Sequence, residues 1–115
     1  MLTEAMEKKC LEIARYYGFD AQTNQLIEEC AELIQAINKY KRQFLRGQPV
    51  RESGGKTPRD MIVEEIADVE VMLCQIKQLF GITELEVEDV AERKIERTMM
   101  RMVETTRADM QQTIS

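Results

Sequence analysis

At 115 residues the chain suffices for one domain with a modest core. Its net charge of −5 argues against a nucleic-acid-binding surface, and its lack of histidine excludes Ser-His-Asp triads, histidine-ligated metals and the Glu-x-x-His di-iron bundle. Two prolines, five glycines and few aromatics favour an all-α fold, and no apolar run approaches a membrane span.

A first helix is expected over residues 3–17, capped by Thr3, with Met6, Cys10, Ile13 and Tyr17 as its apolar face and Leu2 and Ala14 beside it. Gly18 is expected to end it in a left-handed conformation. Asp20 then caps a second helix running to about Phe44 or Leu45. Its stripe is Leu26, Cys30, Leu33, Ile37, Tyr40 and Phe44, at alternating steps of four and three. Residues 47–56, GQPVRESGGK, read as a surface loop. Seven basic residues and one acid lie between Lys39 and Arg59, which suits either a solvated connection or a mobile basic flap over an anionic substrate. Thr57-Pro58-Arg59-Asp60 is a strong helix start, and Gly81 stops the helix after Phe80. Its stripe is Ile62, Ile66, Val69, Leu73, Ile76 and Phe80. Thr83 and Glu86 form a capping box for a fourth helix with apolar positions Val87, Val90, Ala91, Ile95, Met99 and Met102. Lys94, Arg97 and Arg101 share a strip of that helix and can grip a polyphosphate or stand solvated beside their own helix's acids. The pattern fades beyond Thr105, so the expected domain is 1–108 with a frayed tail at 109–115.

Cys10, Cys30 and Cys74 are odd in number and widely spaced, as in a cytoplasmic protein with reduced thiols. The opening MLTEAMEKKC mixes charges early and does not read as a signal peptide.

The second and third helices repeat one another at an offset of 36 residues: IEECAELIQAI from Ile27 returns as VEEIADVEVML from Val63. Glu29 pairs with Glu65 and Glu32 with Asp68. Each helix thus carries two acids at i and i+3 on the shoulder of its stripe, and antiparallel packing lets the shoulders meet. Two carboxylates about 5 Å apart repel by roughly 3 kcal/mol at an effective dielectric of about 20. Four of them call for protons, basic partners or a cation, and all-oxygen ligands suit Mg²⁺ or Mn²⁺. Taken singly, either acid pair reads as ordinary solvated helix surface; the matched angles favour a site.

Glu29-x-x-Glu32 followed by Glu65-x-x-Asp68 resembles the E-x-x-E…E-x-x-D signature of the MazG-like all-α nucleoside triphosphate pyrophosphohydrolases, a superfamily that includes dimeric dUTPases and dCTP pyrophosphatases. The resemblance covers about residues 20–102, and the somewhat long gap between its two motifs is accounted for by the 47–56 loop. It implies a four-helix bundle with a disordered or mobile loop between helices two and three, assembled as a homodimer or a dimer of dimers. It also implies a Mg²⁺-dependent hydrolase, Mn²⁺ being an alternative, that cleaves a (d)NTP to (d)NMP and pyrophosphate through a metal-activated water. By this resemblance Glu29, Glu32, Glu65 and Asp68 are the metal ligands, Glu29 or Glu32 the catalytic base, and Gln22, Lys94, Arg97 and Arg101 the substrate contacts. The competing readings are a non-catalytic nucleotide-binding or regulatory module of the same fold, and a purely structural helical module. Neither nucleic acid nor membrane is an expected partner.

Overall fold

The computed structural model describes residues 2–47 and 54–114. Three helices run in order: α1 (Glu4–Arg46), α2 (Pro58–Phe80) and α3 (Glu84–Ile114). The chain divides into two compact units, one ending at Gly81 and the other beginning at Ile82.

The helix boundaries follow local chemistry. The Thr3 side chain caps α1 by accepting from the Met6 N–H. Thr57 and Asp60 form a capping box at α2, and Pro58 sits at the first helical position, where no N–H is required. At α3, Glu86 accepts from the Thr83 N–H at 2.8 Å, and the Glu86 N–H donates to the Thr83 hydroxyl at 3.2 Å. Gly47 and Gly81 close α1 and α2 in the left-handed conformation.

The break expected at Gly18 is present as a kink inside α1: helical turns lie on both sides, and that residue alone has non-helical φ and ψ. Gly18 is not left-handed helical. Its φ of 85° and ψ of 172° place it in an extended region that glycine alone occupies readily. Most of the expected 47–56 loop lies outside the described residues. The segment from 109 onward, expected as a tail, lies on α3, which continues to Ile114. Arg107, Ala108, Met110, Gln111 and Gln112 are good helix formers, and helix propensity sustains the final turns without an apolar pattern.

In the first unit α2 packs against both halves of α1. The Phe19 and Phe80 rings meet edge to face with centroids 5.2 Å apart. Ahead of Gly18, Cys10 and Ala14 are buried, and Gln78 Nε2 on α2 donates to the Glu7 carbonyl at 2.8 Å. Of the expected face Cys10 is buried, with Ala14 beside it, whereas Met6, Ile13 and Tyr17 are exposed.

The long stripes are rotated. Besides Cys74 and Gln75, which are buried on α2, two matching sets are withdrawn from solvent: Gln22, Leu26, Glu29, Leu33, Ala36, Tyr40 and Gln43 along α1, and Pro58, Ile62, Glu65, Val69, Met72, Ile76 and Leu79 along α2. Each member of one set lies 36 residues from its mate in the other. Relative to the expected stripes, Cys30, Ile37 and Phe44 give way to Glu29, Ala36 and Gln43, and Ile66, Leu73 and Phe80 to Glu65, Met72 and Leu79. The change is a rotation of about 50° at 100° per residue. Both helices are apolar over a wider arc than a single partner covers, and the packed side is the one that carries Glu29 and Glu65.

Candidate metal and nucleotide site

The rotation brings the acids together. One carboxylate oxygen from each of Glu29, Glu32, Glu65 and Asp68 lies within 4.8 Å of all the others. Glu29 and Glu65 are half-buried on the packed face, while Glu32 and Asp68, one turn further on, reach solvent. The charge of Glu29, followed by a hydrogen bond that the protonated Glu32 donates to it, pushes the Glu32 carboxyl above the ordinary carboxylate range. Burial is the main cause that raises Glu65, with Glu32, Asp68 and Glu29 adding their charges. Asp68 is raised by partial burial of its carboxyl, although the residue as a whole is exposed, and then by Glu29. The cluster therefore draws in protons or a cation.

Two features fit a hard divalent cation. Glu29 Oε2 and Glu65 Oε2, mates in the repeat, are both buried without a hydrogen-bond partner. Such atoms are costly unless something occupies them. The donor set is also all oxygen, as Mg²⁺ and Mn²⁺ require.

Gln22 is 5% exposed, and its Oε1 has no partner. Lys94, Arg97 and Arg101 belong to α3 in the second unit and are exposed. On that helix Lys94 borders a groove of about 440 Å³ lined by Ile82, Glu86, Val87, Val90 and Ala91. An ion pair on α3 joins Arg93 to Asp89 at 3.1 Å; among the described residues neither Arg97 nor Arg101 takes a carboxylate partner. Of the basic run flanking the loop, Lys56 pairs with Glu64 at 2.5 Å, and this bond raises its ammonium above the usual range.

Sequence reasoning missed two glutamines. Gln25 Nε2 donates to Glu29 Oε1 at 2.8 Å, a contact that the i, i+4 spacing could have signalled. Gln75 is 3% exposed with an unpartnered Oε1; nothing in its flanking sequence marks it.

The profile of the MazG nucleotide pyrophosphohydrolase domain matches residues 18–104, most of the chain. The chain belongs to the MazG family. Its match begins at the Gly18 break, takes in both acidic motifs and leaves the helical segment before Gly18 outside. Comparison with curated proteins found no match, and comparison with solved structures found none either. An all-α architecture and a nucleotide pyrophosphohydrolase activity are what this membership supports at the level of the family. No helix among the described residues is long and apolar enough to cross a membrane.

Proposed function

We propose that this MazG-family chain hydrolyses a nucleoside triphosphate, ribo or deoxy, between its α- and β-phosphates, releasing the monophosphate and pyrophosphate. The observation that carries the reading is the convergence of Glu29, Glu32, Glu65 and Asp68 within 4.8 Å, with two buried carboxylate oxygens lacking partners. These four residues would hold Mg²⁺, with Mn²⁺ as a substitute. When bound, the ion supplies charge neutralisation at the triphosphate and acidifies a water at neutral pH. The chain's own residues do the rest. Glu29 and Glu65 anchor from the packed face. Glu32, solvent-facing and raised above ordinary carboxylates, is suited to take the attacking water's proton, with Glu29 as the alternative base. Gln22 offers a buried amide to the nucleoside. Lys94, Arg97 and Arg101 are the cations assigned to the pyrophosphate leaving group, where developing charge is greatest.

The active form is proposed to be a homodimer or a dimer of dimers. Ile27 is 68% exposed, Ile34 60% and Phe44 61%, more apolar surface than an isolated helix pair keeps in water. A single domain over 1–108 and a cytoplasmic location complete the reading, the latter supported by three free cysteines.

The test is incubation with each dNTP and NTP plus Mg²⁺, separating pyrophosphate from orthophosphate, with the Glu32→Ala and Asp68→Ala variants alongside. Pyrophosphate and a monophosphate, lost in both variants, are expected. Orthophosphate would sink the α–β assignment. A nucleotide that shifts the melting temperature without any product would favour a non-catalytic binding module.

A further inference from the structure

The two acidic motifs are mates in sequence but unequal in structure. Glu29 and Glu65 each end in a buried Oε2 without a partner. Ahead of Glu29 by one turn, Gln25 Nε2 donates to the other oxygen, Oε1, at 2.8 Å. The repeat places Met61 at the corresponding position ahead of Glu65, and a thioether has no proton to donate. The repeat between α1 and α2 is thus broken at the site itself.

The hydrogen bond has a directional consequence. With Oε1 held by the amide, the Glu29 carboxylate is oriented by the fold and its free oxygen is committed to the buried side. Ordering that side chain is then accomplished in folding and need not be repeated when a ligand arrives. An ordinary exposed i, i+4 pair leaves the acceptor's second oxygen in water; here that oxygen is buried and unpartnered.

We infer that Gln25 is a positioning residue, fixing Glu29 as the anchoring ligand of the acidic site through its bond to Oε1. The inference rests on the metal-binding reading proposed above. Glu65, with no such donor before it, is the ligand that adjusts.

Isothermal titration of the full-length chain with MnCl₂ tests this, using wild type, Gln25→Met and Gln25→Asn, with melting of each metal-free protein as a control. Gln25→Met copies what α2 carries at Met61, and Gln25→Asn keeps the amide one methylene short of Glu29. Both are expected to weaken Mn²⁺ binding about tenfold, the usual cost of losing a residue that orients a metal ligand. The metal-free melting temperature should stay within a degree or two of wild type, since an exposed helix pair contributes little. Wild-type affinity in either variant would overturn the positioning role while leaving the metal site standing. A wild-type chain that does not bind Mn²⁺ would remove the metal reading and this inference together.

Discussion

Glu32 and Asp68 face solvent but are held above the ordinary carboxylate range, Glu32 chiefly by the charge of Glu29 and Asp68 by partial burial reinforced by that charge. Removing either relieves repulsion and removes a proposed ligand. Glu32→Ala and Asp68→Ala are therefore expected to leave metal-free stability unchanged or raised, and to lower pyrophosphate release by at least about a hundredfold. Melting with and without Mn²⁺ separates the two effects. A ligand at about 100 times its dissociation constant stabilises by about 2.7 kcal/mol, and that increment should vanish in both variants. A purely structural module would show neither the increment nor its loss.

The helices depend on their ends and on one break. Thr57→Ala at the start of α2 removes the acceptor for the Asp60 N–H and should cost about 1 kcal/mol in urea unfolding. The Asp60 carboxyl accepts from the Thr57 N–H, and this bond holds it below the ordinary carboxylate range. Thr83 does the same for Glu86. A depressed carboxylate means that the folded state binds fewer protons than the unfolded one. The stability these groups contribute is present above the unfolded carboxylate range and is lost as pH falls through the folded values. Asp60→Asn and Glu86→Gln should therefore flatten the acid side of the stability profile, read from urea midpoints between about pH 7 and about pH 3. Gly18 tests the break. A Cβ there would meet nothing within 4 Å, so Gly18→Ala imposes backbone strain alone, on the order of 1–3 kcal/mol.

For the whole molecule, the exposed apolar arc is the main unsettled surface. Ile27 and Ile34 on α1 and Val63 on α2, at 51% exposure, lie away from the α1–α2 contact. Burying one such side chain is worth about 1.5–3 kcal/mol, so a few of them sustain an interface. Light scattering should report at least twice the chain mass of 13.4 kDa, and Ile34→Glu should return the protein toward a monomer. A monomeric wild type would refute the assembly.

The sequence by itself determined the helical class, the capped starts at Thr57 and Thr83, the stop at Gly81, and the pairing of Glu29 with Glu65 and Glu32 with Asp68. Each of these rests on nearest-neighbour chemistry or on a repeat, both written along the chain. The side of each helix that packs was decided only by tertiary structure. Cys30 and Ile66 are better apolar residues than Glu29 and Glu65, yet the acids lie inward and the apolar residues outward. Hydrophobic periodicity locates an arc, whereas the partner helix selects an angle within it, and here the arc is wider than the contact. The same selection buried Gln22 and Gln75 and left two carboxylate oxygens without partners. It brought the four acids that the repeat pairs along the chain into one cluster able to hold a cation.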